Sequence, residues 1–151
     1  CWTSDAAPAK MRTAPRHQCR EVDVFSDIYH IGYLTDDVAR DIAFYQEVFG
    51  GELIAQAPGP DGVTKMAFLK VGNTEVELIE PGDKSRLGGR TGLILDHVGY
   101  LVPDIDAAVE QLRAKGIKFA TEAPYTNALG HRLIYLDSAT IQGTKMHLTQ
   151  R

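Results

Sequence analysis

One stretch of this chain occurs twice. "HIGYLTDDVARDI" at residues 30–42 aligns with "HVGYLVPDIDAAV" at 97–109, an offset of 67 residues. His, Gly, Tyr, Leu and one Asp are identical, and the apolar positions agree where a helix would begin. A repeat of one supersecondary unit implies two stacked copies related by pseudo-symmetry. Each element read in one copy therefore predicts a counterpart in the other.

The flanking patterns supply those elements. "VFSDIYHIGYLT" reads as a strand. "DDVARDIAFYQEVFG" reads as a helix capped by Asp36 or Asp37, with an apolar stripe of Val38, Ile42, Tyr45 and Phe49 and a stop at Gly50. Strands follow at 52–57, 64–70 and 74–80, separated by the turn chemistry of "PGPDG" and "VGN". After the linker "PGDKSRLGGRTG" the order returns: strand 93–102, helix 104–115 capped by Asp104 and ended by Gly116, then strands 117–122, 131–137 and 144–149. Residues 1–23 are alanine- and proline-rich without a period and read as a flexible N-terminal arm. The expected organisation is that arm, then one domain over 24–151. It comprises module one at 24–81, a linker at 82–92 and module two at 93–150.

Strand parity brings out the chemistry, because successive side chains point to opposite faces. His30 opposes Ile31 and Tyr33; Glu75 and Glu77 oppose Val76 and Leu78; His97 opposes Val98 and Tyr100; His147 opposes Met146 and Leu148. A single histidine on a strand is usually a hydrogen-bonded or surface residue. Here His30, Glu77, His97 and His147 fall on the first and last strands of both copies, and that joint placement points to a shared metal site. Imidazoles and a carboxylate suit one divalent ion: Zn²⁺, Ni²⁺, Co²⁺, Mn²⁺ or Fe²⁺. Lys65 shares parity with Ala67 and Leu69 and is expected to look into the same cup, holding a substrate anion or stabilising an oxyanion. His131 and Arg132, after a glycine turn, are expected to help anchor substrate.

The net charge of −4 argues against nucleic acid as a main partner, because phosphate binding needs a basic patch, and no apolar run approaches the roughly 20 residues of a membrane span. Both cysteines, Cys1 and Cys19, lie in the arm and cannot staple a core. A cytoplasmic location is expected, with a processed, exported form beginning at Cys1 as the alternative.

"YHIGYL" and "DHVGYL" open the two copies, and "VELIEP" and "KMHLTQ" close them. In this the chain resembles the vicinal oxygen chelate superfamily, which includes glyoxalase I, methylmalonyl-CoA epimerase, extradiol dioxygenases, and fosfomycin-resistance and bleomycin-binding proteins. The resemblance covers residues 26–150. It implies an α+β fold in which two βαβββ modules form a cupped half-barrel with helices on the outer face. It also implies a homodimer, and ligands from the first and last strand of each module: His30, Glu77, His97 and His147, the set that parity gives. The C-terminal stretch is similar to methylmalonyl-CoA epimerases, and "VELIEP" is similar to glyoxalase I. Both families carry a glutamate where this chain has His147, and the epimerase has a further glutamate on a strand where this chain offers Lys65.

The resemblance therefore implies a metal-dependent, glyoxalase-like isomerase or lyase acting on a small carbonyl or hydroxy-acid substrate. The metal would chelate neighbouring oxygens and stabilise an enediolate, with Glu77 or a metal-bound hydroxide carrying the proton. One alternative is a non-haem iron dioxygenase, which needs two histidines and a carboxylate. Another is a binding or resistance protein without chemistry.

Overall fold

In a computed structural model of the chain, residues 23–127 and 129–151 are described; the expected arm lies outside them except for Asp23. Module one runs β1 (Asp27–Leu34), α1 (Val38–Phe49), β2 (Glu52–Pro58), β3 (Lys65–Val71) and β4 (Thr74–Glu80). A short 3₁₀ turn (Lys84–Leu87) leads to module two: β5 (Ile94–Leu101), α2 (Ile105–Ala114), β6 (Tyr125–Thr126), β7 (Arg132–Tyr135) and β8 (Met146–Gln150). All eight strands form one curled sheet in the order β2-β3-β4-β1-β5-β8-β7-β6. This is the expected half-barrel of two βαβββ units.

The join between modules fixes the site. β1 and β5 pair antiparallel, and each pairs in parallel with the last strand of its own module, β1 with β4 and β5 with β8. The four strands that carry His30, Glu77, His97 and His147 therefore lie side by side within one chain.

The helices cover the other face. Asp37, not Asp36, caps α1 by accepting from the Arg40 backbone N–H at 3.0 Å. Asp36 instead accepts from the backbone N–H of Gly92 at 2.8 Å, tying the end of the linker to the start of the helix. Val38, Ile42 and Tyr45 of α1 pack on Ala67, Leu69, Val76 and Leu78. Ile105, Ala108 and Val109 of α2 pack on Ile134 and Leu148 in the same way. Each large apolar side chain so buried contributes about 1.5–3 kcal/mol.

Two expectations fail here. Phe49 is exposed and stacks on Phe44 at the helix end instead of joining the apolar stripe. The expected strand at 117–122 reduces to one bridge between Phe119 and Leu136. Ile117 and Phe119 pack against the core, and Pro124, lacking an N–H, cannot extend a ladder, so the short β6 begins after it.

Candidate metal centre

The repeated His-x-Gly of the two opening strands builds the centre. In register, Gly32 lies between Glu77 of β4 and His97 of β5, and Gly99 lies between His30 of β1 and His147 of β8. Each glycine leaves room for a neighbouring imidazole to lie over the sheet. A Cβ at Gly32 would sit 2.2 Å from His97 Cε1, and one at Gly99 would sit 2.6 Å from His147 Nε2. No side chain can occupy such space, so the two glycines are part of the site. Their signal was present in the repeat, but spacing alone could not assign it.

The four candidate ligands converge as parity predicts, and all are buried. His30 Nε2 lies 2.9 Å from His97 Nε2 and 3.0 Å from His147 Nε2. Glu77 Oε2 stands 3.1 Å from His97 Nε2 and 3.4 Å from His30 Nε2. One ligand atom from each of the three histidines falls within 4.8 Å of the others. Burial lowers the pKa of His30 to about 3 and of His147 to about 4, which keeps both imidazoles neutral and available as donors. His97 differs: burial opposes its charge, but Asp96 and Glu77 outweigh burial and raise its pKa.

This donor set fits a divalent ion. An imidazole nitrogen carries either one proton or one lone pair, so His30 Nε2 cannot satisfy two nitrogen neighbours through hydrogen bonds alone. Nitrogens about 2.1 Å from a common ion stand roughly 3.0–3.4 Å apart, close to the separations seen. Outer partners orient two of the rings. His97 Nδ1–H donates to Asp96 Oδ2 at 2.8 Å, and Lys145 Nζ holds the same oxygen at 2.7 Å. His147 Nδ1 pairs with Thr149 Oγ1 at 3.0 Å. His30 Nδ1 is buried with no hydrogen-bond partner among the described residues.

Beside the centre lies a cavity of about 380 Å³, with His30, His147 and Glu77 in its wall. A hollow of about 460 Å³ near Arg151 and the β3–β4 turn contains none of the three histidines.

Lys65 does not line the cup. β3 and β4 pair with Phe68 opposite Glu77, so Met66 and Phe68 face the cavity while Ala67 and Leu69 lie under α1. Lys65 follows the helix-side parity and pairs with Glu80 at 3.2 Å. Both faces of β3 are apolar, which is why parity alone chose the wrong one. Arg132 is likewise turned away, held by both carboxylate oxygens of Asp106 at 2.7 and 2.9 Å. His131 stays nearer, with Nδ1 3.5 Å from the Tyr29 hydroxyl.

Three contributors escaped the sequence reading. The β1–β5 ladder slips between Ile28 and His30 and again opposite Gly32–Tyr33, leaving Tyr29 and Asp96 as extra residues. The first slip carries Tyr29 to the cavity wall, against the His30 ring. The second sets Asp96 behind His97. Tyr135 enters from β7, opposite His147 in register and ring to ring with it at 5.1 Å. Burial, reinforced by Glu77, raises the pKa of its phenol, so it remains a neutral donor.

Residues 29–135 match the family described as Glyoxalase/Bleomycin resistance protein/Dioxygenase superfamily. The chain is 30% identical to the mitochondrial methylmalonyl-CoA epimerase of Bos taurus over 127 residues, 80% of this chain and 72% of that one. It is 35% identical to a lactoylglutathione lyase of Arabidopsis thaliana over 91 residues, covering 58% of this chain and 31% of that one. Its fold superposes on the crystal structure of methylmalonyl-CoA epimerase from Mycobacterium tuberculosis with a TM-score of 0.76 at 21% identity, covering 85% and 90% of the two chains.

Proposed function

The chain belongs to the Glyoxalase/Bleomycin resistance protein/Dioxygenase superfamily and is an enzyme of its metal-dependent isomerase and lyase kind; we propose that His30, His97, His147 and Glu77 hold its one divalent ion. The observation that carries this reading is the meeting of three buried imidazoles, drawn from both modules, at separations that hydrogen bonds alone cannot satisfy. The ion, taken from Zn²⁺, Ni²⁺, Co²⁺, Mn²⁺ or Fe²⁺, supplies Lewis-acid polarisation of neighbouring substrate oxygens and so acidifies the adjacent C–H.

The protein's own groups do the rest. Glu77, beside two of the imidazoles, is the group placed to take and return the substrate proton. Tyr135, neutral in the same cavity, donates a hydrogen bond to developing negative charge. Asp96 and Thr149 fix the tautomer and angle of His97 and His147. The cavity-lining residues include one carboxylate, Glu77, and at β3 they offer Met66 and Phe68. Epimerisation with a base on each face of the carbon lacks its second carboxylate. Proton transfer on one face, of the glyoxalase kind, is the reading favoured.

The same reading takes a small-molecule substrate in the cup, a homodimer as the assembly and the cytoplasm as the location. The first rests on the cavity, the second on family resemblance and the third on composition. Among the described residues no helix is long and apolar enough to cross a membrane.

The deciding experiment measures metal content in chain purified without chelators and reloaded with each candidate ion. Exchange of substrate C–H for deuterium is then followed with a small 2-hydroxyketone as probe, and lactoylglutathione and methylmalonyl-CoA are compared with it. About one ion per chain, with exchange that depends on it, is expected. Stoichiometric metal that survives combined His30→Ala and His147→Ala substitution would remove the site from these residues.

A further inference from the structure

The β2–β3 side of the cup is hydrocarbon. β2 and β3 present Ala55, Ala57, Pro58, Met66 and Phe68 to the cavity, and β7 presents Leu133 from the opposite side. Pairing of Ala57 with Met66, and of Ala55 with Phe68, makes the first five a continuous surface. The nearby cations are engaged elsewhere. Lys65 and Lys84 both hold Glu80, Arg132 holds Asp106, Lys145 holds Asp96 and Arg151 holds Glu75. Among the described residues no lysine or arginine lines the cavity, and the carboxylate there is that of Glu77.

A second carboxylate or a phosphate on the body of the substrate would lose water against this wall and gain no counter-charge. An alkyl or aryl group would exchange water for Met66, Phe68 and Leu133 and gain the full transfer free energy. A cavity of about 380 Å³ is within the small-molecule range, large enough for such a group beside a chelating head. Resting on the metal-centre reading, we propose that the substrate joins two vicinal oxygens to an uncharged apolar body, as in an aliphatic or aryl 2-hydroxyketone, with the body lying along the β2–β3 wall.

Alkyl hydroxamates carry vicinal oxygens on a hydrocarbon tail of chosen length, and they test this through binding alone. Acetohydroxamate through octanohydroxamate, and tails of equal length ending in a carboxylate, are titrated by calorimetry into the Co²⁺-loaded and the metal-free chain. Affinity should rise about fourfold per methylene until the cavity is filled. A terminal carboxylate should weaken binding at least tenfold, and Met66→Lys should reverse that preference. Affinity independent of tail length, or equal affinity for the carboxylate-ended series, overturns the apolar-body inference and leaves the metal centre intact. Failure of acetohydroxamate itself to bind in a metal-dependent way overturns the metal centre and the inference with it.

Discussion

Tyr29 and Asp96 stand 67 residues apart at equivalent points of the repeat, each immediately before a histidine and each the extra residue where the β1–β5 ladder slips. The two modules share this backbone device and diverge in what it delivers. In module two the extra residue is a carboxylate that grips His97 Nδ1 and is itself held by Lys145. In module one it is a phenol lying against the His30 ring, and His30 Nδ1 is left without a partner. The electrostatic consequence is opposite in sign: the pKa of His97 is raised and that of His30 falls to about 3. A duplicated scaffold thus sets where the candidate ligands stand; burial lowers the pKa of His30, while at His97 the carboxylates of Asp96 and Glu77 overcome the same burial. A carboxylate behind an imidazole strengthens it as a donor, so with a metal bound His97 would be the stronger donor and His30 the weaker.

The severest way to break the pairing of modules is to remove a contribution that both need. His147→Ala should abolish activity and lower metal affinity by orders of magnitude, whereas His147→Glu should keep the metal. Gly32→Ala should act like a ligand deletion from a distance, because its methyl occupies the place of the His97 ring, with about 1–3 kcal/mol of lost stability besides. Equilibrium dialysis against Zn²⁺ and urea melts measure both. Parent-like metal affinity in His147→Ala would show that module two supplies only its first-strand histidine.

Acid probes the asymmetry next. His30 and His147 have folded pKa values of about 3 and about 4, below the ordinary value of 6.5. Below about pH 6.5 the unfolded chain binds protons at these positions that the folded chain refuses, so their contribution, present above 6.5, is lost as pH falls towards 4 and 3. His97, with its raised pKa, contributes in the opposite sense: its stabilisation is full below about 6.5 and is lost as pH rises through its folded value. With two imidazoles against one, the metal-free protein should lose on the order of a few kcal/mol between about pH 7 and about pH 4.5. Urea midpoints across that range should fall, and less steeply in His30→Gln. A flat profile would mean that the two rings are not held neutral by burial.

Exchanging the residues at the slips sharpens the comparison. Asp96→Asn should weaken metal binding about 10–100-fold, while Tyr29→Phe, which touches no ring nitrogen of His30, should change it less than threefold. Tyr29→Asp should give His30 the missing acceptor and tighten binding. If Asp96→Asn leaves affinity unchanged, the carboxylate behind His97 has no part in the site.

The smallest effects belong to the cations turned away from the cup. Lys65→Ala removes an exposed ion pair worth at most about 1 kcal/mol, and Arg132→Ala removes a fully solvated one. Both should leave kcat and KM within about twofold. A strong rise in KM for Lys65→Ala would return that lysine to the substrate.

The repeat, the strand alternation and the residue types at strand ends determined a great deal. They determined two βαβββ units, helices on one face, and a histidine or glutamate aimed at the other face from four strands. These are local or periodic properties, and a strand's period of two transmits them without knowledge of its neighbours. Only the tertiary structure decided the rest. Lateral register put Gly32 beneath His97 and Gly99 beneath His147. It turned Met66 and Phe68 inward in place of Lys65, on a strand whose two faces are equally apolar. It also created the slips that recruit Tyr29 and Asp96. Register depends on which residues of distant strands lie opposite each other, and one extra residue moves a side chain to the other face. The sequence named the candidate ligands, and the pairing of strands far apart in the chain decided their partners, their basicity and the walls of the cavity around them.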